Sequence, residues 1–359
     1  MTYLHSFGSD GYAPYGPLLS VGGTLYGTTL DDNIYEDRGT VYSITSSGTY
    51  AILHTFGDSP DGASPYAGLV NIGGTLYGTT SSGGAYNGGA VYSVSPAPSG
   101  TESVLESFYP GSDGANPIAS LIANGSTLYG TTSQGGVYNA GTAFSMTTSG
   151  AETVLHSFGG SGDGTDPAAP LLNVRKKLYG TTVNDTVNGC GSVFAVTKSS
   201  GHETVLHSFS GRPDGCTPQY GALINLNGTM YGTTSSGGNG GCGFDEGCGT
   251  VFSITPSGTE TVLHTFAAGT DGATPYGGLT VLNGMLYGTT SAGGAYGRGT
   301  VFMMSPSPSG AYAVIWAFGG QPGGAQPQSD LIVVNGTLYG TTTAGGANNQ
   351  GTVFSLLSI

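Results

Sequence analysis

Residues 261–305 hold, in order, TVLHTF (261–266), an Asp271-Gly272-x-x-Pro275 turn, GGLTVLNG (277–284), MLYGTTSAGG (285–294) and GTVFMMS (299–305). Four short runs rich in Val, Leu, Thr and aromatic residues alternate with Gly, Asn, Asp and Pro. That is the pattern of strands joined by tight turns, and no helical periodicity interrupts it. The unit is written seven times. Its Leu/Met-Tyr-Gly-Thr-Thr pentapeptide places Tyr26, Tyr77, Tyr129, Tyr179, Tyr231, Tyr287 and Tyr339 at separations of 51, 52, 50, 52, 56 and 52 residues.

A lone four-stranded meander cannot bury both of its faces. Repeats of this length with four strands solve the problem by stacking radially, so the whole chain, 1–359, is expected to form one all-β, seven-bladed propeller. The turn residues agree individually. Asn-Gly at Asn124, Asn227, Asn283 and Asn335 suits a type I′ hairpin between the first and second strands. Ser-Gly at Ser149, Ser257 and Ser309 joins the third to the fourth, and Asp-Gly-x-x-Pro leads to the next unit from Asp10, Asp61, Asp113, Asp163, Asp214 and Asp271. The seventh copy reads Gly323-Gly324-Ala325-Gln326-Pro327, without the acid. In the last strand of a unit, Val154, His156 and Phe158 should share one face, with Leu155 and Ser157 on the other. The chain starts with a fourth strand (Thr2–Phe7) and ends with a third (Gly351–Leu357), so the N-terminal strand should complete the last blade.

The combination of GTLYGTT, GTVFSI and TVLHSF resembles GloVer, the tandem repeat of "choice-of-anchor" bacterial surface proteins, over almost the whole chain. It is more specific in motif than a looser likeness to kelch propellers. The resemblance implies an exported protein whose repeats pack as blades, and it brings no activity or catalytic residue with it. Here the repeat begins at once, in MTYLHSF, so neither a signal peptide nor an anchor is expected within these residues.

Gly (68) and Pro (18) make up about a quarter of the chain, a share that elsewhere marks disorder. The recurrence of 22 Tyr and 13 Phe at fixed places supplies a core instead. With 7 Lys+Arg against 21 Asp+Glu the formal charge is −14, which repels phosphate backbones and anionic lipid. Nucleic acid and membrane insertion are therefore not expected. Low charge, scarce Lys and abundant Thr, Ser, Gly and Asn favour an extracellular or cell-surface location, and a monomer is expected.

Residues that recur in every blade are expected to be structural. The histidines at one repeat position (His5, His54, His156, His207 and His264, with Glu106 and Trp316 in their place elsewhere) fall in that group. So does the turn Asp: one carboxylate per turn falls short of a calcium cage, and a local backbone cap suits it better. No cofactor or metal is expected. The four cysteines all fall in connections of one face, the upper. Two disulfides are expected, Cys190–Cys216 and Cys242–Cys248, with a four-thiolate zinc site as the rival.

The same face gathers aromatics suited to sugar rings: Tyr35, Tyr86, Tyr138, Phe244 and Tyr296 in the second-to-third loops, and Tyr15, Tyr66, Tyr220 and Tyr276 near the channel mouth. Packing of loop against loop is the alternative role for each. Blade 1 departs most from the repeat: Leu30–Arg38 reads LDDNIYEDR, and Asp31, Asp32, Glu36 and Asp37 are the candidate acids should the protein be a glycosidase. The cationic run Arg175-Lys176-Lys177 falls on the opposite, lower face. The expected function is lectin-like binding of an oligo- or polysaccharide by upper-face loops. The alternatives are a carbohydrate-active enzyme, hydrolase or lyase, on the same face, and a surface scaffold or adhesion protein.

Overall fold

The computed structural model describes residues 1–31, 39–57, 59–242, 247–308 and 310–357. Seven four-stranded antiparallel sheets form the blades. Blade 1 consists of Leu19–Val21, Thr24–Thr29, Thr40–Thr45 and Tyr50–Thr55, ordered from axis to rim. Blade 7 takes Ile332–Val334, Thr337–Thr342 and Thr352–Leu357, and its rim strand is the N-terminal Thr2–Ser6. The ring closes by strand pairing, with Thr2 opposite Ser355 and Ser6 opposite Thr352. Closure is reinforced by Ala347 N donating to Ser6 Oγ at 2.7 Å and Thr341 Oγ1 donating to the Pro14 carbonyl at 3.0 Å. The only helical turn among the described residues is Gly269–Asp271.

The repeated letters have separate jobs. In Gly-Thr-Thr, the first Thr hydroxyl donates to the inner connection of the next blade, as in Thr28 to Ala67 O and Thr233 to Gly277 O. The second, as in Thr29 with Thr40 or Thr342 with Thr352, bonds across to the third strand. The preceding Gly is required by close approach: a Cβ on Gly130 would lie 2.6 Å from the Phe144 ring. The Phe144 ring is buried in a cluster between two blades, where full burial of one Phe contributes roughly 1.5–3 kcal/mol.

Two sequence expectations need correction. Asn227, Asn283 and Asn335 have the positive φ expected of their turns, but Asn124 is the last residue of its strand. Every rim strand carries a bulge, in blade 3 between Val154 and His156, and it breaks the simple alternation. Leu155 thereby packs on the same core cluster as Phe158, not on the opposite face.

Candidate functional site

On the upper face, each connection between blades pairs with the second-to-third loop of the following blade, as Gly215–Cys216 does with Ser236–Gly237. These pairings hold the loops that carry the candidate residues. The two disulfides join Cys190 to Cys216 and Cys242 to Cys248. The first ties blade 4's loop to the connection that enters blade 5. Both bonds indicate an oxidising compartment.

The predicted aromatics divide into two groups. At the axis, Tyr15 stacks on Tyr66 with centroids 4.5 Å apart; Tyr220 lies 6.1 Å from Tyr66, and Tyr276 lies 6.1 Å from Tyr220. The rings plug the channel mouth, leaving a cavity of about 30 Å³. That is room for a water or two, far below the ~300 Å³ of a small-ligand pocket. Asp330 faces this cavity and accepts hydrogen bonds from the backbone N–H groups of Gly278 and Ala222. Burial nonetheless pushes its carboxyl up to about 6.

Tyr86, Tyr138 and Tyr296 stand at the rim, 57%, 58% and 67% exposed. Tyr86 meets Tyr109 edge-on at 5.5 Å, and Tyr138 packs over Gly159 and Gly160. The structure does not bring these three together. Tyr35 and Phe244 lie outside the described residues, as do Asp32, Glu36 and Asp37. Asp31 is described, in a bridge with Tyr12. Arg175, Lys176 and Lys177 border a separate lower-face pocket.

The sequence reading passed over the junction of blades 6 and 7. There Tyr296, Trp316 and Tyr3 line an open pocket of about 560 Å³. Trp316 stands where five blades have His, and the turn acid is replaced by Gly323. A Cβ on Gly323 would fall 2.7 Å from the Tyr3 hydroxyl oxygen, so the missing side chain makes room for that ring. The available signal was the one Trp of the chain, coinciding with the one acid-free turn.

The other junctions show what the His and Asp do. His54, His156 and His207 place Nε2 3.1, 3.1 and 3.0 Å from Oδ2 of Asp61, Asp163 and Asp214. Each Asp also accepts backbone N–H groups of its own connection, Asp61 from Gly57 and Gly62. Although burial pushes Asp61 up, the His54 hydrogen bond and these N–H groups hold it below the usual carboxylate range. The first residue of the next blade's rim strand, Glu102, Glu203 or Glu260, completes each group. Burial, then the adjacent Asp charge, raises all three, Glu260 to about 7. The expected local cap is therefore one part of a bond between blades.

Among solved structures, a GH74 enzyme from Niastella koreensis is similar with a TM-score of 0.60 at 16% identity, over 99% of this chain and 53% of that one. A provisionally assigned 6-phosphogluconolactonase from Bacteroides uniformis gives 0.58 at 16% identity, over 94% and 91%. At such identities the likeness is one of fold alone. No curated protein matches in sequence. The profile of the Gloeobacter/Verrucomicrobia repeat matches residues 1–131, 74–244 and 242–358, and the chain belongs to that family.

Proposed function

We propose that the protein is an exported, lectin-like propeller that holds a neutral oligosaccharide against aromatic groups at the upper rim. The observation that carries this reading is the pocket formed by Tyr296, Trp316 and Tyr3. Its volume, about 560 Å³, suits one or two sugar rings. Its walls offer flat apolar faces beside a phenolic hydroxyl, which matches the C–H face and hydroxyl edge of a pyranose. The plugged axis suits no sugar, so binding belongs to the rim. Tyr86 with Tyr109, and Tyr138, would supply further weak sites, and a polymer spanning several would be retained more tightly than a monosaccharide.

A glycan array followed by affinity electrophoresis tests the reading. Trp316→Ala combined with Tyr296→Ala should weaken retention about 10- to 100-fold, as expected for two lost stacking contacts. Failure of every glycan to bind, or unchanged retention by this variant, would sink it. Turnover of the bound glycan would instead establish the enzyme alternative.

A further inference from the structure

The three His–Asp–Glu groups between blades 1 and 2, 3 and 4, and 4 and 5 place one imidazole nitrogen and two carboxylate oxygens within 4.8 Å of one another. The His and Asp side chains are only 9–23% exposed, so each group sits in a shallow groove that water can still enter. Two carboxylates share this half-buried space with one imidazole. Oε1 of Glu102, Glu203 and Glu260 is buried without a hydrogen-bond partner, as is that of Glu152 at the junction that lacks an imidazole. Two adjacent carboxylates in a half-buried space can both ionise only beside a compensating positive charge.

The remaining junctions act as controls within the same chain. Tyr50 and Tyr312 replace the Glu beside His5 and His264, and their rings stack on the imidazoles at 4.1 and 3.8 Å. Their hydroxyls donate to the carbonyls of Asp10 and Asp271. Among the described residues no third ligand is present at either place. Glu106, Asp113 and Glu152 offer acids without an imidazole, and the Trp316 junction has neither acid nor imidazole. The complete donor set therefore occurs three times among the described residues.

We infer that each His–Asp–Glu junction binds one divalent ion of the zinc class, coordinated by the imidazole Nε2 and both carboxylates and clamping two blades together. An imidazole ligand argues against calcium and magnesium, which prefer all-oxygen sets, and the lack of thiolate argues against soft ions. Water from the groove completes the coordination. The ion takes up the orphaned Glu oxygen and replaces the His–Asp hydrogen bond. Since it bridges neighbouring blades, it stabilises the ring without bearing on glycan binding at the blade 6–7 rim.

Protein stripped with EDTA and dialysed against zinc chloride should hold about three equivalents. At tenfold the dissociation constant its Tm should rise by roughly 5 °C, whereas calcium chloride should do nothing. Glu102→Gln with Glu203→Gln and Glu260→Gln removes one ligand per site while keeping a neighbour that can donate to the Asp. This variant should match the wild type in EDTA and lose the zinc response. Tyr312→Glu rebuilds the full set between blades 5 and 6 and should add one equivalent. If the triple variant fails to fold, Glu260→Gln alone decides, with two equivalents expected. Equal zinc uptake by wild type and Gln variants, or a wild type whose Tm ignores zinc, overturns the inference and leaves a shared proton as the compensating charge.

Discussion

Blades 4 and 5 meet at the rim through His207, Asp214 and Glu260, whereas blades 6 and 7 meet through Trp316, a glycine pair and Met1. The backbone is the same in both places, down to the bulge in the rim strand. The polar set is complete at three junctions, altered by Tyr50, Tyr312 or Glu106 at three more, and absent at the boundary of blades 6 and 7. Removing one member alone would strand the others, since a buried polar group that loses its partner bears the full desolvation penalty. Where all members change together the junction becomes apolar and open, and a pocket forms where the others have a bond. The repeat thus separates a structural layer, common to most blades, from one blade boundary released from it.

The largest effect should come from the junction that strand exchange creates. Deleting Met1–Phe7 removes the rim strand of blade 7, its pairing with Thr352–Ser355, the wall residue Tyr3 and the fully buried Phe7. We expect a loss of Tm above about 10 °C, or aggregation through the exposed strand edge. A truncated chain that melts like the full one would show that blade 7 does not depend on this strand.

Next comes the polar unit itself. Asp214→Ala, measured in EDTA, leaves His207 and the N–H groups of Ser210 and Gly215 without their acceptor. A loss of about 3 kcal/mol, or roughly 4 °C, is expected. Replacing all three residues as blade 7 does, with His207→Trp, Asp214→Gly and Glu260→Met, should cost less than the sum of the single changes. Additivity would contradict the unit. The reverse exchange, Trp316→His with Gly323→Asp, forces Tyr3 aside and should abolish glycan retention while moving Tm by only a few degrees.

These relations differ in how legible they were. The blades could be read from the chain because each signal is local: the spacing of the seven Tyr-Gly-Thr-Thr segments, Asn-Gly turns such as Asn283-Gly284, and a terminal strand lacking partners. The cysteine pairing was legible because topology puts all four on one face. The His–Asp–Glu groups were not, since their members come from two blades and lie up to about fifty residues apart. Only their joint disappearance around Trp316 and Gly323 hinted at them. The axial tyrosines were placed correctly at the channel mouth, but their mutual stacking depends on side-chain conformation. The rim bulge was missed because a strict alternation was assumed.

The disulfides should separate by a smaller margin. Cys190–Cys216 closes 26 residues across a blade boundary, and Cys242–Cys248 closes 6 within one loop. By loop-closure entropy the first should contribute about 1 kcal/mol more. Thermal denaturation of Cys190→Ala/Cys216→Ala against Cys242→Ala/Cys248→Ala should show a difference of one or two degrees. The reverse order would mean that the buried Cys248 matters more through packing than through its bond.

The smallest effect concerns the same blade 6–7 boundary at the axis. There Asp330 of blade 7 accepts the N–H of Gly278 in blade 6 and that of Ala222 in blade 5. The boundary that lost its acid at the rim thus keeps one at the channel. Burial raises this carboxyl to about 6, above the value near 3.9 of an unfolded Asp. The folded state therefore holds the proton more tightly, and the group's contribution is most favourable below about pH 4. It declines as pH rises through 6, and is constant above. Asp330→Asn keeps an acceptor but removes the charge. Its stability relative to wild type should rise between pH 4 and pH 7.5, while the titration of all other groups cancels in the difference. Two units correspond to about 2.7 kcal/mol, but Asp330 is only partly buried by surface area, so solvent screens the charge. About 1 kcal/mol, or one to two degrees, is the expected gain at pH 7.5. A variant that loses stability equally at both pH values would show that Asp330 acts through its hydrogen bonds alone, and that its charge carries no cost at the axis.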